Sequence, residues 1–169
     1  GCYGDGGAIF CQDKKKFDNL ISLRSHGKGK NKYNNLLIGL NSRLDTLQAI
    51  VLIEKLKIFK KELILRDKIS RRYIERFSNL AEIKVPKIDF DNFPSWAQFT
   101  ISARKRDRLK AYLKMKKIPS MVYYPVPLSK QNAYKKFNLT EQDLENSISL
   151  TKNVLSLPMH PYLSENEQN

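Results

Sequence analysis

The chain has 169 residues, of which 41% are hydrophobic and 28% are charged, and its formal net charge is +14 at pH 7. That length fits one domain, or a small domain with part of a second, and is sufficient to bury a hydrophobic core. No apolar run approaches the roughly 20 residues that cross a bilayer as a helix, and the first residues are not typical of a secretory leader. The sequence therefore predicts no association with a membrane.

The strong positive charge has two interpretations. A basic protein can bind nucleic acid or another anionic surface. The lysines, however, are spread along the chain in short runs such as Lys14–Lys16 and 60–61, which is typical of solvated helix faces, and there is no zinc-finger, helix-turn-helix or aromatic-rich RNA-binding motif. The pattern favours a solvated surface, with no specific nucleic-acid partner, and leaves a basic nucleic-acid-binding module as an alternative.

The two cysteines, Cys2 and Cys11, are too few for a disulfide framework. Neither has a second cysteine or a histidine at the spacing of metal ligands. The sequence therefore predicts no metal site and a reducing compartment, the cytoplasm. Cys11 is predicted to lie on a buried strand as a small hydrophobic residue.

The chain begins with the glycine-rich "GCYGDGG", which predicts a tight turn. The apolar run Ala8–Cys11 that follows predicts a strand. Asp13 is the predicted N-cap of a helix from about Lys14 to Ser22, whose apolar residues share one face. A chain that starts in this way is expected to begin inside a folded domain.

Residues 25–39 contain Gly, Asn and Lys without helical periodicity, so they predict a loop. One interpretation is a mobile surface connection. The other is a basic, functional loop in which His26 and Tyr33 reach a ligand.

The longest predicted helix runs from about Asp45 to Phe77. Its apolar residues recur at spacings of three and four, and it contains no Gly or Pro. At about 1.5 Å per residue it would be close to 50 Å long, which exceeds one small domain. We therefore expect this helix to connect two domains.

From about residue 79 the chain alternates short strands and helices, which is typical of a compact α/β unit. Helices are predicted over Arg106–Lys116 and Glu141–Asn153, the second with Thr140 as its N-cap and Asp143 in its first turn. Short strands are predicted in 82–103, where Pro86 and Pro94 interrupt them, and strands are predicted in 120–125 and 154–163, where each runs into a proline turn. The last six residues predict the start of a further helix, so the chain is expected to be cut at both ends.

Recognised catalytic motifs are absent from the sequence. His26 and His160 are the only histidines and lie far apart, and there is no P-loop, dinucleotide-binding fingerprint or nucleophile triad. Two segments nevertheless carry candidate binding residues.

The first segment is 38–49, where a loop places Asn41 and Arg43 just before the N-terminus of the long helix. A guanidinium, an amide and a helix N-terminus together suit a phosphate or a carboxylate. The alternative is that Asn41 or Ser42 only caps the helix and Arg43 pairs with Asp45.

The second segment is 122–134, where Tyr123 and Tyr124 precede two prolines that fix the loop. Rigid loops that carry tyrosines often form the walls of ligand sites. The alternative is a packed strand end with one tyrosine in the core.

Six segments also match a known family in their order and spacing. They are "GCYGDGGAIF", "LRSHG", "IGLNSRLDTLQA", "WAQFTI", "VYYPVPL" and "LSLPMHPYL". Over nearly the whole chain they resemble the DegT/DnrJ-type sugar aminotransferases, which are pyridoxal-phosphate (PLP) enzymes of the fold-type-I, aspartate-aminotransferase-like architecture. The first and third are most similar to the branch that acts on UDP-linked 3-keto amino-sugar uronates in surface-polysaccharide (O-antigen) synthesis.

This resemblance implies an α/β fold in which residues 1–78 are the end of the large PLP-binding domain with its connecting helix, and residues 79–169 are the small C-terminal domain. It implies a homodimer in which a lysine holds PLP as a Schiff base, glutamate commonly donates the amino group, and a keto nucleotide sugar accepts it. That lysine would precede Gly1. No lysine of this chain is therefore assigned a catalytic role, and the chain alone is expected to be inactive.

The resemblance also implies roles for residues of the loop before the long helix. Asn41 matches the residue that reaches across the dimer to the partner's PLP phosphate. Arg43 matches one that meets the anionic groups of the substrate in the partner's active site. His26 and Tyr33 lie in the loop that approaches the neighbouring site.

Tyr123 and Tyr124 match the loop that lines the sugar-nucleotide site. Family members often have histidine after "YPVPL", whereas this chain has Ser129, so a polar contact from that position is not carried over. A different hypothesis remains open, in which the chain is a non-catalytic partner subunit that donates Asn41 and Arg43 to a separate polypeptide.

Overall fold

The computed structural model describes residues 1–31, 33–137 and 144–169 and consists of two compact units, unit 1 (Gly1–Lys60) and unit 2 (Lys61–Asn169). The described helices and strands, in chain order, are α1 (Lys14–Leu23), α2 (Thr46–Phe77), β1 (Ile83–Lys84), β2 (Phe99–Ala103), α3 (Arg106–Met115), α4 (Glu145–Asn153), β3 (Val154–Leu157) and α5 (Glu165–Gln168). Two short 3₁₀ helices, Leu128–Lys130 and Asn132–Phe137, precede α4. The domain division at residue 78 stays a prediction.

Helix α1 begins where the sequence predicts. The Asp13 carboxylate accepts a hydrogen bond from the Lys16 backbone N–H at 2.9 Å, so it supplies one of the acceptors that the first turn lacks. Lys14 and Asp18 form an i,i+4 ion pair at 2.7 Å on the exposed face. The predicted helix and its N-cap are confirmed.

The strand predicted over Ala8–Cys11 is wrong. These residues have no strand geometry, Phe10 is 95% exposed, and Cys11 is only partly buried. A strand is held by hydrogen bonds to a neighbouring strand. Among the described residues, no strand pairs with Ala8–Cys11. Its apolar composition alone is therefore not enough to form one.

Helix α2 confirms the longest predicted helix to within one residue at its N-terminus and is continuous over 32 residues. Charged pairs one turn apart support its exposed side, with Lys57 to Glu54 at 2.6 Å and Arg71 to Asp67 at 2.7 Å. Among the described residues, none of the helices combines the length and apolar character needed to cross a membrane.

The sheet of unit 2 is antiparallel in the order β1-β2-β3. Ile83 pairs with Ala103, and Phe99 pairs with Leu157. Along β2 the first, third and fifth side chains are buried and the two between them are partly buried, which is the period-two pattern of a strand with one face on the core. The short strands predicted in 82–103 are confirmed at the two ends of that segment, as β1 and β2.

One hydrophobic core lies in unit 2, between this sheet and the C-terminal half of α2. The Tyr73 ring stacks on Phe99 at 4.9 Å and on Phe77 at 5.6 Å, and Trp96 lies 5.5 Å from Phe99. The Tyr73 hydroxyl donates to the Pro158 carbonyl at 3.0 Å. Burial raises the pKa of Tyr73, and the nearby Arg72 opposes that shift.

The strand predicted over 120–125 is reduced to a single bridge. Met121 exchanges two backbone hydrogen bonds with Ser156, at 3.1 and 2.7 Å, and the pairing extends no further. Prolines at 119 and 125 flank the segment and have no N–H to donate, so any ladder is confined to the residues between them.

The remaining C-terminal predictions are largely confirmed. The strand in 154–163 is limited to β3 because Pro158 follows it, and the predicted last helix begins at α5. Ser164 and Glu167 form a capping box at its N-terminus. The helix predicted over Glu141–Asn153 is described from Glu145 onwards, and its predicted N-cap Thr140 and first-turn Asp143 lie outside the described residues.

Candidate functional site

The described residues of the predicted 25–39 loop form no helix or strand, as predicted, but the two ends of the loop are joined by backbone hydrogen bonds. The His26 N–H donates to the Leu40 carbonyl at 2.9 Å, and the Leu40 N–H donates to the Leu23 carbonyl at 2.8 Å. The Ser42 N–H donates to the Arg24 carbonyl at 2.9 Å. The backbone that leads to Asn41 and Arg43 is therefore fixed by its own pairing.

Two glycines allow this close approach of the loop's ends. Gly27 has φ 71°, and a Cβ there would lie 1.7 Å from the Leu37 carbonyl oxygen. A Cβ on Gly39 would lie 2.1 Å from the Gly27 backbone nitrogen. A side chain at either position would collide with backbone atoms, so only glycine fits where the two ends of the loop pass each other.

Asn41 and Arg43 lie together on this base. The Arg43 Nε donates to the Asn41 Oδ1 at 3.3 Å, and both residues are exposed. Because this bond uses the amide oxygen, the Asn41 NH₂ group and the remaining guanidinium N–H groups are left to donate outwards. Donors of this kind suit a phosphate or a carboxylate.

The alternative interpretation of this segment is not seen in the part of the chain that the structure describes. No ion pair joins Arg43 to Asp45, and neither Asn41 nor Ser42 donates or accepts a side-chain hydrogen bond with the first turn of α2. The two candidate residues are instead bonded to each other.

The other two candidates of this loop occupy different parts of it. His26 is exposed and has φ 64°. It lies where the two ends of the loop meet, because its N–H donates to the carbonyl of Leu40, the residue before Asn41. Tyr33 lies towards the tip, beyond the bridge between Lys28 and Asn35, and its side chain is 91% exposed. The structure thus brings His26, but not Tyr33, to the backbone that carries Asn41.

Tyr123 and Tyr124 lie in unit 2, with their rings edge to face at 5.5 Å. Tyr123 lines a cleft of about 310 Å³ that Ser156, Leu157 and Met159 also line. Tyr124 is 70% exposed. Neither ring is in the core, so the alternative of a packed strand end with a buried tyrosine does not describe this segment.

Ser129 stands where the resemblance suggests histidine. Its hydroxyl is buried, and it has no hydrogen-bond partner among the described residues. A buried donor without a partner is unusual in a folded protein. The Ser129 hydroxyl can therefore donate or accept a hydrogen bond that no group in the described part of the chain makes with it.

Gln48 makes a contact that the sequence analysis missed, with the backbone of the glycine-rich turn at the start of the chain. Its side-chain oxygen accepts from the Tyr3 N–H at 2.7 Å, and its amide nitrogen donates to the Tyr3 carbonyl at 3.3 Å. Lys55 lies over the Tyr3 ring at 5.2 Å. A glutamine in the first turn of a helix gives no indication in the sequence that it contacts a residue 45 positions earlier.

Metal chemistry has no support in the described ranges, which contain no group of three or more His, Cys, Asp or Glu side chains placed to hold an ion.

Comparison with known proteins decides the family. The model of the DegT/DnrJ/EryC1/StrS aminotransferase family matches residues 2–169. The chain belongs to this family. The resemblance predicted from the six segments is confirmed, and aminotransferases of this family depend on PLP.

Curated relatives include two sugar aminotransferases. The chain is 40% identical over 165 residues to the UDP-2-acetamido-2-deoxy-3-oxo-D-glucuronate aminotransferase of Pseudomonas aeruginosa, covering 96% of the chain and 44% of the relative. It is 34% identical over 163 residues to the dTDP-3-amino-3,4,6-trideoxy-alpha-D-glucose transaminase of Streptomyces venezuelae, covering 96% and 43%. The chain thus spans less than half the length of these relatives.

Solved structures confirm the fold class of this DegT/DnrJ/EryC1/StrS family member. A family aminotransferase from Brucella abortus superposes with a TM-score of 0.94 at 50% identity, covering 99% of the chain and 44% of that structure. S. venezuelae DesV, solved in complex with a ketimine intermediate, superposes with a TM-score of 0.93 at 33% identity, covering 99% and 45%. The predicted α/β architecture, as part of a fold-type-I aminotransferase, is confirmed.

Proposed function

We propose that the chain is part of a PLP-dependent aminotransferase that transfers an amino group from glutamate to the keto group of a UDP-linked amino-sugar uronate. The observation that carries this proposal is the hydrogen-bonded pair Asn41 and Arg43 on a backbone fixed by its own pairing, in a chain that matches the family throughout. The 40% identity to an aminotransferase of a UDP-linked 3-oxo-glucuronate, against 34% to a dTDP-sugar transaminase, supports the substrate class.

The donor chemistry of the pair fits the proposed cofactor. The Asn41 NH₂ group would donate to a phosphate oxygen of PLP, and the Arg43 guanidinium would donate to the carboxylate or diphosphate of the substrate. When bound, PLP supplies the electron sink for transamination. The role of Asn41 and Arg43 is to bind and orient anionic groups.

Tyr123 and Tyr124 give unit 2 its own candidate surface for the uncharged part of a substrate. Tyr123 lines a cleft and Tyr124 is exposed beside it, so their rings can pack against a sugar or a base and their hydroxyls can bond to it. In unit 1, His26 and Tyr33 would approach the substrate that Arg43 binds.

We further propose that the enzyme is a homodimer in which Asn41 and Arg43 serve the partner's site. Their exposure, and their bond to each other rather than to other side chains of the described chain, support this arrangement. We place the reaction in the cytoplasm because Cys2 and Cys11 are unpaired, as in a reducing compartment. We place it in surface-polysaccharide (O-antigen) synthesis because the first and third of the six segments are most similar to the branch of the family with that role.

A chimera tests this proposal. The chain replaces the segment that it matches in the P. aeruginosa relative, and transamination is followed as 2-oxoglutarate formed from glutamate. We expect activity with the UDP-linked 3-oxo-glucuronate and much less with a dTDP-linked 3-keto sugar. A folded dimeric chimera that is inactive, or that prefers the dTDP sugar, would contradict the proposal.

Variants of the chimera assign the roles. Arg43→Ala is expected to lower kcat/KM about tenfold to hundredfold, because it removes a charge-assisted hydrogen bond. Asn41→Ala is expected to weaken retention of PLP on dilution, measured by the absorbance of the cofactor. Asn19→Ala, an exposed asparagine of α1, is the matched control and should change neither quantity.

A further inference from the structure

Helix α3 and its C-terminal turn concentrate the positive charge of the chain. Residues 104–117 hold eight of the 31 Lys and Arg residues and a single acid, Asp107, so half of the net charge of +14 lies in this segment. Arg106 is buried, where its Nε bonds to Asp107 at 2.5 Å and its Nη1 bonds to the Val154 carbonyl at 3.0 Å. The other seven cations are exposed.

Three of these cations border one cleft. Lys110, Lys114 and Lys117 line a cleft of about 390 Å³ whose other lining residues are Ile118, Pro119 and Ser120. The spacing of four puts Lys110 and Lys114 on one face of the helix, and Lys117 follows in the turn after the helix ends. No ion pair or hydrogen bond joins their ammonium groups to another side chain in the part of the chain that the structure describes. Like charges at a spacing of four repel and destabilise the helix unless an anion lies between them.

The helix end does not require these lysines as hydrogen-bond donors. The Lys116 N–H donates to the Tyr112 carbonyl at 3.1 Å, and the Ile118 N–H donates to the Leu113 carbonyl at 2.9 Å. The Lys117 N–H donates to the Lys114 carbonyl at 3.0 Å. Backbone groups therefore cap the last carbonyls, as in a Schellman motif.

Lys117 also stands at a position that favours glycine. Its φ is 59°, which is the left-handed conformation that ends such a motif. A side chain in this conformation is strained relative to glycine. Lys117 thus adds a third cation to the cleft at a cost in local stability. Residues held in a strained backbone conformation cluster at binding sites.

We propose that this lysine cleft binds a phosphoryl group of an anionic ligand. The three ammonium groups supply the opposite charge, and the Ser120 hydroxyl, which has no hydrogen-bond partner among the described residues, supplies a donor. Pro119 and Ser120 also line the Tyr123 cleft, so the bound group lies beside it. The proposal rests on α3 and does not depend on the aminotransferase function.

Titration with pyrophosphate tests the site on the 169-residue chain. Calorimetry at constant ionic strength compares the wild-type chain with K110Q/K114Q and with K60Q/K61Q, which removes the same charge from exposed lysines of α2. We expect the first variant to weaken binding about tenfold and the control to change it less than about twofold. Equal weakening by both pairs would show a bulk charge effect and overturn the proposal, as would no binding by the folded wild-type chain.

A second measurement distinguishes the sources of the phosphoryl group. Vesicles of phosphatidylglycerol and phosphatidylcholine are sedimented with the chain, with and without pyrophosphate. Binding that pyrophosphate competes away and that K110Q/K114Q loses would identify a lipid headgroup. Pyrophosphate binding without vesicle binding would identify a soluble phosphate. Both results support the site, whereas vesicle binding that neither pyrophosphate nor the variant reduces contradicts it.

Lys117→Gly separates binding from folding. Relief of the left-handed strain should raise the midpoint of thermal unfolding by about 4 °C. Loss of the third cation should weaken pyrophosphate binding about threefold. A more stable variant with unchanged affinity would remove Lys117 from the site.

Discussion

At the scale of single residues, Arg72 of α2 holds the C-terminal segment. Its guanidinium pairs with Glu165 at 2.7 Å and donates to the Leu163 carbonyl at 3.3 Å. The hydrogen bond from Arg72, followed by its charge, lowers the pKa of the Glu165 carboxyl. The carboxylate is therefore favoured in the folded chain more than in the unfolded one.

The pKa of Glu165 gives the first prediction. Because the folded pKa lies below the ordinary 4.5, the pair contributes stability above pH 4.5 and loses it as the pH falls through the lowered value. Arg72→Ala should return the Glu165 pKa towards 4.5, as measured by NMR titration of the side-chain carboxyl carbons. Arg71→Ala, which removes the pair with Asp67, is the control and should leave the Glu165 pKa in place. An unchanged Glu165 pKa in Arg72→Ala would contradict this account.

Individual site residues can be predicted from the sequence only where their neighbours in the chain indicate a binding position. Asn41 and Arg43 precede the N-terminus of a long helix, a position that suits anions, so the sequence singled them out. Their mutual bond at 3.3 Å depends on the fold of the loop and was not predictable. Gln48, whose partner Tyr3 is 45 residues away, carried no signal at all.

At the scale of elements, helices were predictable and short strands only partly so. A helix satisfies its hydrogen bonds within itself, so the Asp13 cap and the uninterrupted pattern before Phe77 defined α1 and α2. A strand depends on a neighbour that composition does not reveal. For this reason the apolar run Ala8–Cys11 was assigned a strand that the structure does not contain.

The fixed loop gives the second prediction. Gly39→Ala would place a Cβ 2.1 Å from the Gly27 nitrogen and should separate the two ends of the loop at a cost of about 1–3 kcal/mol. Amide hydrogen exchange at His26 and Leu40, whose N–H groups join the ends, should become faster. Gly7→Ala is the control, because nothing lies within 4 Å of its added Cβ. Unchanged exchange in Gly39→Ala would show that this glycine does not hold the two ends of the loop together.

At the scale of the whole molecule, burial is unequal between the units. The core is built from residues of unit 2, such as Phe99, Ile101 and Leu155. Among the described residues of unit 1, only Gly27 is buried, whereas large apolar side chains such as Phe10 and Ile38 are exposed. Stability from apolar burial is therefore concentrated in unit 2.

This difference gives the third prediction. Phe99→Ala removes a fully buried ring and should lower the free energy of unfolding of unit 2 by about 3–5 kcal/mol. Phe10→Ala removes a ring that is 95% exposed and should change it by less than about 0.5 kcal/mol. Denaturant unfolding, with hydrogen exchange of β2 and β3 as the probe, measures both. Similar losses in the two variants would contradict the concentration of apolar burial in unit 2.

The contacts of α2 with the C-terminal segment also determine when unit 2 can fold during synthesis. Arg66 donates to the carbonyls of Trp96 and Met159, and the Tyr73 hydroxyl bonds to Pro158, 85 residues later. Leu155 and Leu163 complete a core whose other members lie at 69–101. Contacts so distant in sequence form slowly. A nascent chain can form α2 early, but the apolar side of that helix stays uncovered until Leu163 has left the ribosome, and apolar surface exposed for that interval favours aggregation.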